Sequence, residues 1–456
     1  MYYPISTFKK AGWTSYEIST AALLLIGSFG PNKLIPYAAP LIILGAAIVL
    51  RRDLRALWRL LIITALFAVA TAASGAVYGD DVYTSNAVLA FVTFSALYLY
   101  FLSPFSVMTP NLTPRLPSMM HWLLIVQAVI GIVQALSGAL QGGGFDVANG
   151  DRVEGTIHLP LPPAHAFSNA IFSANVAFML LFLAPYYAKK RFLASLVLGS
   201  VAFVLASVLH LIIMLIVAFS IAAITLILLR GNKKAVAYLF VIAVLFAPAP
   251  LVLHNNFQEL PKIVDKFMSG GTPKAVLIQR VTTLMPVREP LFPWVGFGPG
   301  QFSSRAGLIM TGRYLGGAQQ FYTPRGIGGL VPHDTRPQKE YLLDLWERTA
   351  NAQYSGSTQQ PFFSWLTTVT EFGLMAYIGM ILLVAYWVLR INLMPSNVPG
   401  LQRLTLTTSV LLLFLTGFQE NYWEVPQAIM LGIFLQKVMY FSLKGQGSVL
   451  PDNSYP

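Results

Sequence analysis

FLASLVLGSVAFVLASVLHLIIMLIVAFSIAAITLILL, residues 192–229, decides how the chain is threaded. As one helix at 1.5 Å per residue it would run about 57 Å, far beyond a bilayer core of about 30 Å. Basic residues bracket it: Lys189, Lys190 and Arg191 before, Arg230, Lys233 and Lys234 after. Such residues gather on the cytoplasmic side, so the number of crossings between them is even. The run must therefore fold back near Ser207 to His210, which puts His210 at the outer face.

Working outward from this hairpin, the other apolar runs also have helical length. Spans are expected near 16–30, 34–50, 57–77, 84–102, 119–140, 166–187, 192–208, 210–229, 234–252, 361–389, 402–419 and 424–442. Gly30-Pro31-Asn32 separates the first two. Fusing them would move Arg51, Arg52, Arg55 and Arg59 outside. With twelve spans, every basic turn, including Arg390 with Arg403, shares the side of the N-terminus. The turns near Asp80, Asp151 and Glu420 face out, and both termini are cytoplasmic. Lys9 and Lys10 precede an apolar run without a small-residue cleavage site, so that run is expected to be a retained helix.

Composition agrees. The chain is 55% hydrophobic and only 11% charged, against about 25% charged in soluble domains. Its mean hydropathy is +0.63. The expected fold class is an all-α polytopic membrane protein of about twelve transmembrane helices. One large outward, partly helical loop precedes the last three spans. The division is 1–252, nine spans; 253–360, the loop; and 361–456, three spans and a short tail. The net charge of +12 falls in short turns, which points to topology and anionic lipid rather than nucleic acid. The absence of cysteine excludes thiol catalysis and disulfides.

Within the loop, Pro273 to Arg288 and Arg336 to Asn351 read as short amphipathic helices, the second with Leu342, Leu345 and Trp346 on one side. Gly296-Phe297-Gly298-Pro299-Gly300 between them must be a turn. Outer arginines are numerous: Arg152 in the 141–165 turn, then Arg280, Arg288, Arg305, Arg313, Arg325, Arg336 and Arg348. Guanidinium forks suit phosphate, and the set has few acidic neighbours. For any single arginine an ordinary Arg–Asp pair is the simpler reading.

His333, beside Asp334, has the pKa range of a general base, although a lone loop histidine is more often merely exposed. Asp146, Asp151 and Glu154 supply carboxylates near Arg152. Glu371 lies within the tenth span, where an ionisable group is costly and therefore paired or functional. A buried tie to an arginine is its structural alternative. Asp80-Asp81 would suit a divalent ion, but acid pairs are common as topology markers. No nucleotide-binding or hydrolase motif is present.

Three phrases resemble the bacterial O-antigen polymerase and O-antigen ligase family: Arg152-Val153-Glu154-Gly155, GFGPGQF at 296–302, and PFFSWLTTVTEFG at 361–373. The likeness runs from about the fifth span to the end. It implies a membrane glycosyltransferase of the C class, inverting and metal-independent, working at the outer face. A glycan would pass from a polyprenyl-pyrophosphate donor to a sugar hydroxyl, with arginines holding the pyrophosphate. Arg305 and Gly316 fit the spacing of the family's outer-loop arginine and glycine. Two motifs depart: Ser207 is followed by Val208 rather than arginine, and Gln359, Gln360 and Pro361 stand where a His-Asn pair is usual.

The resulting expectation is a glycan polymerase or, second to it, a ligase in the plasma (inner) membrane. Arg152, Arg280, Arg288, Arg305 and Arg313 bind pyrophosphate, and His333 or Glu154 activates the acceptor. No cofactor and no metal are expected. The partners are the lipid-linked donor, a glycan or lipid-linked acceptor and the bilayer; a chain-length regulator is left open. The alternatives are a lipid-linked oligosaccharide flippase or transporter, and a metal-dependent polyprenyl-monophosphate transferase using Asp80 and Asp81.

Overall fold

The hydropathy pattern resolves into helices throughout. The computed structural model describes residues 14–30, 35–103, 112–140, 153–157, 168–186, 189–232, 234, 236–237, 254–311, 334–350, 361–395 and 398–448. Among these no strand occurs. The first helices are α1 (Ser15–Phe29), α2 (Ile35–Arg51), α3 (Leu54–Tyr78) and α4 (Thr84–Thr93), which a 3-10 turn extends over Phe94–Phe101. Then come α5 (Leu116–Gly138), α6 (Ser168–Leu183), α7 (Lys190–Leu205) and α8 (Leu209–Arg230). The loop carries α9 (His254–Met268), α10 (Pro273–Gln279), α11 (Met285–Arg288), α12 (Phe292–Val295), α13 (Arg305–Met310), α14 (Arg336–Tyr341) and α15 (Leu343–Ala350). The chain closes with α16 (Ser364–Asn392), α17 (Gly400–Gln419) and α18 (Pro426–Ser448).

Seven helices among the described residues are long and apolar enough to cross a membrane: α3, α4 with its extension, α5, α6, α8, α16 and α17. α1 and α2 are apolar but shorter. These are the features of a multi-pass helical membrane protein. The expected ninth span, near 234–252, falls almost wholly outside the described residues. The hairpin lies where the bracketing charges require it: α7 stops at Leu205 and α8 starts at Leu209. Ser207 turns the chain with a positive φ of 57°.

α6 is buried nearly all round and forms the centre of the bundle. Small residues permit this. Phe178 of α6 lies over Gly432 of α18, where an added Cβ would stand 2.5 Å from the ring. α8 packs along α17, and α5 along α7.

Hydrogen bonds sort the helix ends into two poles. Arg51 reaches Thr14 at 2.9 Å, Arg59 reaches the Phe101 carbonyl at 2.9 Å, and Arg230 reaches the Asn392 carbonyl at 2.8 Å. Arg403 donates to the Met394 carbonyl at 3.0 Å. The basic turns thus gather at helix ends that share one pole. The loop helices gather at the other, where Tyr78, ending α3, packs on Phe297 at 5.3 Å.

The loop has a small core of its own, built from Leu277, Met285, Phe297, Phe302, Tyr341 and Leu345 among others. Its amphipathic segments fold as expected but in shorter pieces. A π turn over Arg280–Leu284 separates α10 from α11, and Leu342 interrupts the second helix. The glycine turn is tightly seated: Gly296, Gly298 and Gly300 all have positive φ.

One expectation changes. The span over 361–389 is not continuous, because Gly373 adopts φ 82° and ψ 167° and divides α16 in two. The break frees carbonyls that a continuous helix would have bonded. The glycine turn takes them: Phe297 N–H donates to the Thr370 carbonyl (2.8 Å) and Gly298 N–H to that of Glu371 (3.1 Å). A Cβ at Gly373 would lie 2.5 Å from the Trp294 carbonyl oxygen, so glycine is required there twice over.

Candidate active site

Beneath the loop, between α17 and α18, the chain reads Gln419-Glu420-Asn421-Tyr422-Trp423-Glu424. All six residues are buried. Their backbone is fixed by the start of α16: Ser364 N–H donates to the Glu420 carbonyl (3.2 Å), and Trp423 N–H donates to Ser364 Oγ (3.1 Å). Asn421 Nδ2 donates to the Ser303 carbonyl at 2.9 Å, which joins the turn to the loop.

Two cations converge on this turn. Thr272 caps α10 and sets Lys274 in its first turn, buried, with Nζ donating to the Gln419 carbonyl at the end of α17. A cation suits a helix C-terminus. Lys274 also lies 5.1 Å from the centre of the Phe363 ring. Ser304 caps α13, whose first residue, Arg305, donates its backbone N–H to Glu424 Oε2. The Arg305 side chain, half-buried, acts electrostatically on both Glu420 and Glu424. Tyr422 accepts or donates a hydrogen bond with His210 Nε2 at 3.2 Å.

Burial raises the proton affinity of both glutamates. It pushes Glu420 up to about 7, although Lys274 and Arg305 oppose the shift. Burial also holds Glu424 well above the usual carboxylate range, and the carboxylate of Glu371 adds to the effect. The Lys274 ammonium is pushed down for the same reason, with Glu420 opposing. Glu424 Oε1 is buried without a well-formed hydrogen bond, with the Thr367 side chain nearby.

These shifts set a sign for stability. A carboxyl raised in the folded state binds its proton more tightly there than in the unfolded chain. Its stabilising contribution is full below its ordinary range and is lost as pH rises towards about 7 for Glu420. Thermal stability in detergent is therefore expected to fall from pH 5 to pH 7, and Glu420→Gln to flatten that slope. An unchanged slope in the variant would exclude Glu420 as its source.

Glu371 occupies the wall behind this turn. Among the described residues it pairs with no arginine. Its carboxylate accepts three backbone N–H groups, from Gly300 (2.6 Å), Phe302 (2.9 Å) and Ser304 (2.9 Å). It therefore holds the segment that ends in Arg305, and its role is to position.

The other expected site residues are dispersed. Arg152, Arg313 and His333 lie outside the described residues. Glu154 is buried against α5, where Gln134 Oε1 accepts the N–H groups of Glu154 (2.9 Å) and Gly155 (2.8 Å). Arg288 is exposed at the end of α11 near Tyr341. Arg280 is engaged in a bidentate pair with Asp344 (2.6 and 2.7 Å) and donates to the Tyr341 carbonyl (2.7 Å). Replacing Arg280 by alanine is expected to cost about 1 kcal/mol, since the pair is partly exposed, and to leave the apparent donor KM unchanged. A large rise in KM would instead assign Arg280 to the donor.

Asp81 is also engaged, with Arg336 at 3.0 Å; the same guanidinium reaches Glu289 at 2.7 Å and Glu340 at 3.4 Å. Among the described residues no three acidic or histidine side chains converge as metal ligands. Sequence reading misses Lys274 and Glu424 and gives Glu420 only an outward turn. The available signal was two glutamates in a six-residue aromatic turn too short to keep both in water. In comparisons with known proteins, the chain matches no family model, no curated protein and no solved structure.

Proposed function

We propose that the chain is a glycosyltransferase that moves a glycan from a polyprenyl-pyrophosphate donor to a sugar hydroxyl. The observation that carries this is the placement of Glu420 at the loop pole, buried beside Lys274 and Arg305, where burial raises its carboxyl above the ordinary carboxylate range. A general base works best with a pKa near the working pH, and a departing pyrophosphate needs fixed positive charge. Both requirements meet in one turn, at the membrane end where a lipid-linked headgroup lies. The resemblance of 152–155, 296–302 and 361–373 to O-antigen polymerases and ligases supports the same reading. In it the loop pole faces outward, and the basic pole faces the cytoplasm.

The step is a single inverting displacement. The acceptor oxygen forms a bond to the anomeric carbon as the bond from that carbon to pyrophosphate oxygen breaks. The electron pair leaves with the pyrophosphate, which Arg305 stabilises, and the hydroxyl proton passes to the Glu420 carboxylate. Lys274 offsets the charge of Glu420 before the proton arrives.

Because the base must be unprotonated, turnover is expected to rise with pH and level off above about 7. Glu420→Gln should lower kcat by about 100-fold to 10,000-fold and remove that limb. A variant that keeps both the rate and the limb would remove Glu420 from the reaction.

A further inference from the structure

A second site opens at the basic pole and reaches up to the underside of the candidate turn, where Thr368, Phe414 and Trp423 line it. A cavity of about 790 Å³ is walled by α3, the extension of α4, α16, α17 and α18. Its lining is aliphatic and aromatic, with Ile63, Leu97, Val384, Trp387 and Val410 typical of it. Its ceiling is closed by aromatic packing, where Phe67 of α3 meets Phe372 of α16 at 5.3 Å. From there it descends to the basic pole, where Arg55, Arg59, Arg390, Lys437 and Lys444 stand round its lower end.

Three observations identify what fits. The first is length: Arg55 and Phe67 are separated by about 18 Å along α3, close to half of a bilayer core of about 30 Å. Along α3 the groove is thus about one leaflet deep, and along α16 it continues upward to Thr368. The second is access, because Leu383 and Arg390, which line the cavity, are exposed on a face of α16 that lies almost wholly outside the bundle. The third is charge. Arg59 and Arg390 are fixed by the Phe101 carbonyl (2.9 Å) and the Tyr386 hydroxyl (2.7 Å). Lys437 is buried and donates to the carbonyls of Tyr100 (3.2 Å) and Leu102. Arg55 and Lys444 are exposed, with no hydrogen-bond or ion-pair partner among the described residues. The nearby carboxylate of Asp53 is taken by Ser103 and the Ala56 N–H.

We infer that this groove holds one anionic glycerophospholipid of the leaflet at the basic pole. Its acyl chain lies between α3 and α16, and its phosphodiester meets Arg55 and Lys444. The inference is independent of the transferase reading. Ionic attraction selects the headgroup, and the walled cavity separates this lipid from those merely surrounding the protein.

Native mass spectrometry of the purified full chain, titrated with phosphatidylglycerol or phosphatidylcholine, tests it. One tightly retained phosphatidylglycerol is expected, about tenfold preferred over phosphatidylcholine. Arg55→Gln combined with Lys444→Gln removes the preference, and Val384→Trp, which fills the groove, removes retention of both lipids. Equal retention of the two lipids by the wild type would overturn the inference, as would unchanged binding in the charge variant. Displacement of phosphatidylglycerol by an equimolar polyprenyl phosphate would assign the groove to that lipid instead. Lys444→Gln alone, a change at an exposed site, keeps the charge test available if the double variant is poorly folded.

Discussion

Glu371→Leu is expected to speed amide hydrogen exchange at Gly300, Phe302 and Ser304 by about 100-fold or more. Three buried N–H groups then lose their acceptor, and leaving even one unsatisfied costs about 1–3 kcal/mol. Leucine keeps the volume while removing the oxygens, so the loss is one of hydrogen bonding rather than of packing. Because these amides lead into Ser304 and Arg305, the loop should detach from α16 and turnover should fall with it. Glu371→Gln retains an oxygen for the pair from Phe302 and Ser304 and is expected to be intermediate. Unchanged protection in the leucine variant would mean that the glycine turn is held without the carboxylate.

Arg305→Ala is expected to lower kcat by about 100-fold to 1,000-fold, the usual effect of losing one group that stabilises developing negative charge. The variant keeps the backbone bond while removing a cation that opposes the raised proton affinity of Glu420 and Glu424. Arg305 touches Glu424 through its backbone N–H, which alanine keeps. Exchange protection across 300–304 should therefore match the wild type, the reverse of the Glu371→Leu pattern. Arg305→Lys should recover part of the rate, since it restores the charge without the planar fork. If Arg305→Ala retains full turnover, leaving-group stabilisation lies elsewhere.

Much of the architecture was legible because its signals are local. The hairpin at 205–209 follows from basic residues on both sides of one overlong apolar run. The loop's glycine turn follows from five residues that cannot continue a helix. Gly373 is different: a glycine inside a long apolar stretch looks tolerable, and only the docking of Trp294 and Gly296–Gly298 makes it a break. Glu371 was legible as costly, but its partners were not, because they are backbone groups about seventy positions earlier. The candidate site was least legible. His210, Lys274, Arg305 and Glu420 come from four separate elements, and no spacing in the chain announces their meeting. Arg280 shows the converse, a cation that looked available and is matched by Asp344.

The central claim is most directly tested in proteoliposomes carrying the purified chain and a polyprenyl-pyrophosphate oligosaccharide. Glycan products and released polyprenyl pyrophosphate are measured together, with and without a chelator. The account predicts a new glycosidic bond for each pyrophosphate released, in both conditions, and near-complete loss of both in Arg305→Ala. Movement of labelled donor across the bilayer with no new bond would contradict it and mark the chain as a transporter of that lipid.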